Sequence, residues 1–356
     1  MKAWLLDKIG SLADLRLADD HPDPEPRDGE VVLEVALAGL NPADRYLAEG
    51  QYPAKPSFPH ILGRDAIGTV VAVGPGVSDV NVGDRRIVLR TDVGVNQPGT
   101  LAQRVAVDAG SLAPVPDGWS DEQAGGAALV YLTAWQALRM WEDVTPTREA
   151  EPKGDAPDRS GDRPVLLITG ASGGVGTACV HLGGGLGFEV VGLSRSREKG
   201  ERLKAEGADH VFDPTDGGWV KQLKTTLGKR RVRLAVDNVG GAAFNQLLDT
   251  LGDQGRVSCV GRLAGPVPEF NTAALLFRRL RIGGVVVSGY TREEARAAWA
   301  QIVEVMNRAG RKPIVDSVWK FEELQRAFEW LKAGPMGKVM VRAPTPGRPS
   351  PSPGRA

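Results

Sequence analysis

The sequence has few cysteines and no excess of charge of either sign. Each of these features excludes some classes of protein. Cys179 and Cys259 are the only cysteines among 356 residues, too few for a disulfide framework or a four-thiolate zinc site. Basic and acidic residues number 44 each, so the net charge is zero. Because a nucleic-acid-binding protein usually carries a basic excess or patch, no nucleic-acid partner is expected.

A long apolar run is also missing. The first ten residues lack the apolar stretch of a signal peptide. The most apolar region, 165–193, is interrupted by glycines and contains His181 and Glu189, residues that a membrane span rarely accepts. We therefore expect a cytoplasmic protein that acts on small molecules and has no membrane partner.

Two patterns divide the chain. β-Branched, partly alternating runs at 31–40, 66–74 and 82–89 are separated by turn signals, which predicts an antiparallel, barrel-like domain. From Asp121 the apolar residues recur at helical spacing, and Ser120 with Gln123 has the arrangement of a capping box. The first domain is thus expected to end near this helix.

Two segments are predicted to lie outside the packed domains. Residues 145–164 are rich in proline and charge and hold no apolar residue larger than alanine, so they are expected to form a mobile insertion. Residues 346–356 are expected to be a disordered tail.

After the insertion, continuous apolar strands alternate with helices as far as the segment RIGGVVVSG (281–289), which is taken as a last strand. This alternation predicts a parallel sheet covered by helices on both faces, and so an α/β domain.

The most informative stretch is a glycine-rich turn after the first of these strands. The strand at 165–169 leads into Ala171-x-Gly173-x-x-Gly176 and then into a helix, a dinucleotide-binding fingerprint with alanine at its first position. Glycines allow the backbone to approach a pyrophosphate, which is bound by the N–H groups at the helix N-terminus. The predicted binding residues are Gly170, Ala171, Ser172, Gly173, Gly174, Val175 and Gly176.

Two other interpretations of the turn fail. Short-chain dehydrogenases need a downstream Tyr-x-x-x-Lys pair, whereas the only downstream tyrosine is Tyr290 and the residue four positions later is Glu294. A P-loop needs a lysine directly after the glycines, and none is present.

The end of the second strand favours NADPH. NAD enzymes usually place an acidic residue there to bind the ribose 2′-hydroxyl, whereas this chain has Ser194, Arg195 and Ser196, followed by Lys199. Such a cluster suits a 2′-phosphate. The alternative is a solvated, basic helix start.

Together these residues resemble the medium-chain dehydrogenase/reductase superfamily, in its zinc-independent, quinone oxidoreductase-like branch. The motifs that carry the resemblance are AGLNPADRYLAEGQYP (38–53), GRDAIGTVVAVGPGV (63–77), LTAWQAL (132–138), TGASGGVG (169–176), VDNVGG (236–241) and GKVMV (337–341). The resemblance implies a GroES-like substrate domain of residues 1–125 and 289–345. It also implies a Rossmann NADPH-binding domain of residues 126–288 and an active-site cleft at their junction.

The resemblance also implies that no metal is bound. Asn41 lies near the first zinc-ligand position of zinc-dependent relatives, Gly63-Arg64-Asp65 stands where they have Gly-His-Glu, and the four-cysteine lobe is missing. His60 is displaced from the ligand position.

Carried over by motif, the resemblance assigns roles to single residues. Asn41 would contact the cofactor near its nicotinamide ribose, and Tyr52 would be the proton donor, since a phenol keeps its proton at neutral pH. The alternative is that Tyr52 only lines the substrate pocket. Tyr46 is a second candidate for a residue that lines this pocket. The further cofactor contacts implied are Thr133, Asn238, Val260, Gly261, Val286, Val287, Ser288 and Lys338.

The implied activity is hydride transfer from NADPH to a quinone or an α,β-unsaturated carbonyl compound. Two alternatives stay open: an enoyl thioester reductase, with Arg64 and the run 277–284 as a basic entrance, and a non-catalytic, crystallin-like NADPH-binding protein. The last predicted strand is also expected to pair with its copy in a homodimer, because apolar edge strands seldom stay unpaired.

Overall fold

The computed structural model describes residues 1–89, 92–144, 146, 163–265 and 272–344. Its strands are β1 (Ala3–Leu5), β2 (Arg16–Ala18), β3 (Glu30–Gly39), β4 (Asp65–Val73), β5 (Arg85–Val88), β6 (Arg104–Asp108), β7 (Leu112–Pro114), β8 (Val165–Ile168), β9 (Glu189–Leu193), β10 (His210–Phe212), β11 (Val232–Asp237), β12 (Leu251–Cys259), β13 (Arg281–Gly284), β14 (Val315–Lys320) and β15 (Lys338–Arg342). Its helices are α1 (Pro42–Ala48), α2 (Asp121–Arg139), α3 (Gly174–Leu186), α4 (Arg197–Ala205), α5 (Trp219–Leu227), α6 (Ala243–Thr250), α7 (Ala273–Arg278), α8 (Arg292–Arg308) and α9 (Leu324–Ala333).

The chain forms two compact units. Unit 1 consists of 1–128, 317–334 and the chain from 339 onward, and unit 2 consists of 129–316 and 335–338. Each unit has its own apolar core within the described residues. One unit is thus built from both ends of the chain and the other is inserted between them, which is the organisation that the resemblance implies.

Unit 1 is built on a sheet in the order β14-β15-β3-β4-β5-β7, with β6 also paired to β3. The central strand β3 runs antiparallel to β4, β6 and β15. Its apolar side chains, among them Leu33 and Val35, are buried. The alternating runs in the N-terminal sequence thus form the antiparallel sheet that they predict.

Unit 2 is built on a parallel sheet in the order β10-β9-β8-β11-β12-β13. In sequence order this is 3-2-1-4-5-6, the doubly wound order of dinucleotide-binding domains. All four residues of β8 are buried, as expected for a strand with helices on both faces. The order reverses between β8 and β11, so the loops that follow these two strands flank the crevice where such folds bind ligands.

Two local predictions have different outcomes. The capping box at the start of α2 is confirmed, because the Ser120 hydroxyl accepts from the Gln123 N–H at 3.2 Å and the Gln123 side chain accepts from the Ser120 N–H at 3.0 Å. The last predicted strand is too long. The strand β13 ends at Gly284, and Val287–Gly289 forms a 3₁₀ turn.

The second predicted domain boundary is displaced as well. The sequence placed it at 289, whereas unit 2 continues to Asp316 and includes α8. The reason is the packing of α8 on α3, where a Cβ atom at Gly185 would lie only 2.6 Å from a methyl carbon of Val305. The glycine allows a close helix contact that periodicity alone does not reveal. The first division falls after Ala128 rather than after residue 125.

A buried chain of polar groups connects α2 to α3 and continues to the end of α4. The Tyr131 hydroxyl lies 2.7 Å from His181 Nδ1, and His181 Nε2 lies 3.0 Å from the Glu206 carboxylate. Burial holds the pKa of Tyr131 well above its ordinary value, and the hydrogen bond with His181 lowers the pKa of Glu206. These hydrogen bonds hold α2 and α3 together inside unit 2.

The insertion predicted at 145–164 lies outside the described residues, except for Pro146, Arg163 and Pro164. The predicted tail, 346–356, lies entirely outside them. Among the helices that the structure describes, none is both long enough and apolar enough to cross a membrane.

Candidate functional site

The glycine-rich turn between β8 and α3 is closed so tightly that a side chain at Gly176 has no room. A Cβ atom there would lie 2.2 Å from the Gly170 carbonyl oxygen. Gly170 itself has a φ of +58°, a left-handed conformation that favours glycine. A Cβ at Gly173 would meet only the Gly170 oxygen, at 3.5 Å, so this side of the turn is open. The turn thus exposes its backbone at the start of α3.

Amide groups point outward at that helix start. Gly173 is the N-cap and has no side chain with which to cap the helix, and the first N–H groups of a helix have no acceptor within it. Such a helix end binds anions through its N–H groups and its dipole. Ala171, at the first fingerprint position, is fully buried, and its N–H donates to the Leu193 carbonyl at 3.2 Å.

The ends of β8 and β11 are joined by buried hydrogen bonds. The Thr169 hydroxyl donates to the Asp237 carboxylate at 2.6 Å and accepts from the Asn238 N–H at 2.9 Å. The Asn238 amide nitrogen donates to the Thr169 carbonyl at 2.9 Å. These bonds fix the two loops that flank the crevice.

Asn238 has one polar atom left over. Its Oδ1 atom is buried and has no hydrogen-bond partner among the described residues, although buried polar groups are normally satisfied. Gly261 packs against Asn238, since a Cβ atom at Gly261 would lie 2.5 Å from the Asn238 carbonyl oxygen. Val260, the residue before Gly261, directly follows the end of β12. The predicted residues Asn238, Val260 and Gly261 are therefore brought together at one edge of the sheet.

Lys338 lies beside the glycine-rich turn. The residue is 4% exposed, and its Cδ atom would be 3.4 Å from a Cβ at Gly174. The neighbouring Gly337 N–H donates to the Ser172 carbonyl at 3.0 Å. Lys338 is therefore not a surface charge, which was the alternative that the sequence left open. Its side chain packs against the start of α3.

The predicted 2′-phosphate cluster is assembled where β9 meets α4. Ser194 is buried at the end of the strand, and Arg195 is exposed. The Ser196 hydroxyl caps α4 by accepting from the Lys199 N–H at 3.3 Å. Glu198 lies in the first turn of α4, but Ser194-Arg195-Ser196 itself contains no acidic residue. A phosphate at these three residues would meet a cation, hydroxyls and the N-terminus of a helix.

Two other predicted cofactor contacts lie in unit 2. The Thr133 hydroxyl donates to the Leu129 carbonyl of its own helix at 2.7 Å, as an ordinary helix threonine does. The segment 286–288 lies in the 3₁₀ turn rather than in the strand, with Val287 buried and Val286 55% exposed. Its role toward a cofactor stays a prediction.

Asn41 is buried in unit 1, where it makes hydrogen bonds to neighbouring side chains. The residue is the N-cap of α1, and its N–H donates to the Asp44 carboxylate at 2.8 Å. Its amide nitrogen donates to the Asp65 carboxylate at 3.0 Å. Asn41 therefore positions the loop before α1, and its predicted contact with a cofactor stays a prediction.

Tyr52 and Arg64 form a pair in unit 1. Arg64 Nη1 donates to the Tyr52 hydroxyl at 3.2 Å, and the guanidinium carbon lies 5.7 Å from the centre of the tyrosine ring. Tyr52 is half-buried and Arg64 is only 7% exposed. Tyr46, the other predicted wall residue, is also half-buried, and Arg45 lies over its ring.

The basic entrance for a thioester substrate stays a prediction: Arg281 in the run 277–284 is exposed, whereas the other arginines have protein contacts. Arg64 is a buried residue rather than a surface cation. In the run 277–284, Arg278 donates to the carbonyl oxygens of Leu248 and Leu251, and Arg279 pairs with Asp253.

Neither cysteine is suited to nucleophilic or metal chemistry. Burial raises the pKa of both thiols, that of Cys259 to about 11, and only a thiolate is a good nucleophile or metal ligand. Within the part of the chain that the structure describes, no three His, Cys, Asp or Glu side chains are grouped so as to hold a metal ion.

Comparison with known proteins agrees with this architecture. A family model described as "Alcohol dehydrogenase GroES-like domain" matches residues 27–117, and one described as "Zinc-binding dehydrogenase" matches 174–307. The quinone oxidoreductase of Salmonella typhimurium is 31% identical over 251 residues, which are 70% of each chain. The chain belongs to the medium-chain dehydrogenase/reductase superfamily.

Solved structures of this superfamily superpose on nearly the whole chain. The quinone oxidoreductase of Escherichia coli complexed with NADPH has a TM-score of 0.82 and 26% identity, and covers 96% of this chain and 100% of that one. An NAD-dependent alcohol dehydrogenase has a TM-score of 0.84 and 26% identity, with 97% and 100% covered. The superfamily fold is thus clear, whereas the two relatives differ in cofactor and named activity.

The sequence signalled some members of this site only weakly. The Thr169–Asp237 pair joins residues far apart in the chain, and only their positions at the ends of two apolar strands hint at it. Arg64 lies within the motif at 63–77, but its burial and its bond to Tyr52 depend on how the chain folds back.

Proposed function

We propose that this protein is an NADPH-dependent, zinc-independent reductase of quinones or α,β-unsaturated carbonyl compounds. The observation that carries the proposal is the open glycine-rich turn at the crevice of a doubly wound sheet, followed by a second strand that ends in Ser194-Arg195-Ser196. When bound, the nicotinamide supplies a hydride to the acceptor. Membership of a superfamily that includes quinone oxidoreductases supports the same activity.

The residues around the turn fit a dinucleotide. The outward N–H groups of α3, with Lys338 beside them, would hold the pyrophosphate. The unsatisfied Oδ1 of Asn238 is a buried acceptor for a ligand donor. Arg195 with the hydroxyls of Ser194 and Ser196 would hold the 2′-phosphate.

The residues of unit 1 would serve the acceptor. Tyr52 accepts a hydrogen bond from Arg64, which leaves the phenol hydrogen free to be donated to the acceptor oxygen. Tyr46 is proposed as a wall of the pocket. No observation favours enoyl thioesters over simpler acceptors.

A direct screen tests the proposal. NADPH oxidation is followed by its absorbance with quinones, enones and enoyl thioesters in parallel. Turnover of quinones or enones is expected. Preference for thioesters would assign the reductase to that class instead, and tight NADPH binding without any turnover would make it a binding protein.

The cofactor preference has its own test. We expect the wild-type protein to bind NADPH roughly 5- to 150-fold more tightly than NADH, because a guanidinium and hydroxyls bind a phosphate with a few charge-assisted hydrogen bonds. Arg195→Ala is expected to weaken NADPH binding and to leave NADH binding nearly unchanged, as measured by fluorescence titration. Arg197→Ala, which removes an exposed arginine two residues away, is the matched control. Equal affinity of the wild type for both cofactors would refute the assignment.

Metal independence is proposed because no ligand group is assembled among the described residues. Prolonged dialysis against a strong chelator is expected to leave the reductase rate unchanged. Elemental analysis serves as the second measurement, and stoichiometric zinc in the purified protein would contradict the expectation.

A homodimer is proposed through β13, which ends the parallel sheet as described and exposes 36% of Ile282. An apolar edge strand is a template for pairing with another copy. Ile282→Asp is expected to shift the protein toward monomer in sedimentation velocity runs, whereas Val82→Asp, at a position 65% exposed, is not. A wild-type protein that is monomeric at all concentrations would contradict the proposed homodimer.

A cytoplasmic location stays a prediction.

A further inference from the structure

Arg64 is a buried cation for which the described residues supply no anionic partner. The residue is 7% exposed, and among the described residues no carboxylate lies within ion-pair distance of its guanidinium. Its Nε atom is buried and makes no hydrogen bond. The bond from Nη1 to the Tyr52 hydroxyl is its one hydrogen bond within the described ranges.

Arg326, another arginine that stacks on an aromatic ring, differs from Arg64. Arg326 lies 5.5 Å from the ring centre of Trp319, but its guanidinium is bonded to Glu323 at 2.6 Å and its side chain is 67% exposed. Buried charges are normally paired or hydrogen-bonded because leaving water is costly. An unpaired guanidinium in a buried position therefore points to an anionic group that arrives with a ligand.

The backbone beneath Arg64 is fixed in place. Gly63 has a φ of +95°, and its carbonyl accepts from the Thr100 N–H at 3.0 Å. Gly94 and Gly99 press on this segment, where Cβ atoms would lie 2.0 Å from the Gly63 oxygen and 2.2 Å from the Leu62 oxygen. The backbone that carries Arg64 is therefore held in one position, and its guanidinium is placed against the Tyr52 ring and hydroxyl.

The direction of the Tyr52 hydrogen bond matters as well. A guanidinium has no acceptor, so the Tyr52 oxygen accepts from Arg64 and its own hydrogen must point to another group. The pair thus presents a phenol O–H together with guanidinium N–H groups that have no protein acceptor in the described parts. Both are donors suited to one oxygen atom.

We propose that Arg64 and Tyr52 form a two-donor site for the acceptor oxygen that becomes negative during reduction. This assignment rests on the proposed reductase function, with NADPH as the reductant. As a hydride adds to the acceptor carbon, the π electrons move to the oxygen and give an enolate or hydroquinone anion. Tyr52 transfers its proton to that oxygen, Arg64 stabilises the phenolate left behind, and a proton from water restores Tyr52.

A coloured anion tests the site without turnover. The probe is 4-nitrophenol, which titrates near neutral pH and has a visible band only as the phenolate. We expect the ionised-to-neutral ratio of dye bound to the wild type to rise at least tenfold over that of free dye at the same pH. Arg64→Met is expected to abolish this rise and Arg64→Lys to retain part of it. Arg326→Met, which removes the paired arginine, is expected to leave it unchanged.

Kinetics form the second arm. Arg64→Met is expected to lower kcat/KM for quinones or enones by ~10²- to 10³-fold, as the loss of one oxyanion donor does, with unchanged NADPH affinity. Because the two residues act as a unit, the double variant with Tyr52→Phe is expected to lose far less than the product of the single losses. If Arg64→Met does not fold, Arg64→Gln and Arg64→Lys supply the same readings.

The outcomes separate the two proposals. Dye ionisation and kcat/KM that are both insensitive to Arg64 would overturn the two-donor site while leaving the reductase intact. A wild type that reduces no quinone or enone, but still ionises the dye in an Arg64-dependent way, would overturn the reductase function and retain the anion site.

Discussion

Gly176→Ala is expected to lower NADPH affinity by ~10²-fold or more and to destabilise the protein. The added methyl carbon would lie 2.2 Å from the Gly170 oxygen and 2.7 Å from backbone atoms of Ala171, so the glycine-rich turn must open. Overpacking of this kind costs about 1–3 kcal/mol, which lowers Tm by roughly 2–12 °C in a domain of this size. The displaced turn would also carry the first amides of α3 away from a bound phosphate.

The same helix supplies a matched control. A Cβ atom at Gly184 would meet nothing closer than the Gly207 oxygen at 3.8 Å, and alanine is a better helix former than glycine by about 1 kcal/mol. Gly184→Ala is therefore expected to raise Tm slightly and to leave NADPH affinity unchanged. Calorimetry and fluorescence titration of both variants measure the difference. Unaltered NADPH binding by Gly176→Ala would rule out this turn as the pyrophosphate site.

Tyr52→Phe is expected to lower kcat and kcat/KM together by ~10²-fold or more in the reduction of a quinone or enone. The hydroxyl is needed only when negative charge develops on the acceptor oxygen, so its loss raises the barrier without weakening ground-state binding. The phenyl ring remains, and with it the contact with Arg64 at 5.7 Å. Steady-state kinetics at saturating NADPH give both constants.

Tyr46→Phe is the informative comparison. As a wall residue Tyr46 is expected to affect KM more than kcat when its hydroxyl is removed. A kcat that is the same in wild type and Tyr52→Phe would reduce Tyr52 to a wall residue too, with water as the source of the proton.

The sequence predicts the architecture well because the signals that specify it are local. The mostly apolar segments that form β8, β9 and β11 are largely buried, which is typical of a parallel sheet covered by helices on both faces. The glycine-rich turn is equally local, since its fingerprint places glycines where the backbone approaches itself. The capping box before α2 needs only four consecutive residues.

What the sequence could not predict depends on contacts between distant segments. The helix α8 belongs to unit 2 because it packs on α3, more than a hundred residues earlier in the chain. The strand β13 ends at Gly284 although the apolar letters continue, because Val287–Gly289 turns into a 3₁₀ geometry. The charge of Arg64 predicts a surface cation, whereas the residue is buried and follows a backbone segment that packs against Gly94 and Gly99.

The burial of the two thiols has a consequence for the proposed reductase activity. Quinones and enones alkylate cysteine thiolates, so a reductase of such compounds is exposed to inactivation by its own substrates. Cys179 is fully buried, and the raised pKa of Cys259, about 11, keeps nearly all of that thiol protonated at neutral pH. In the proposed reductase, neither thiol would therefore be a ready target for alkylation by such acceptors.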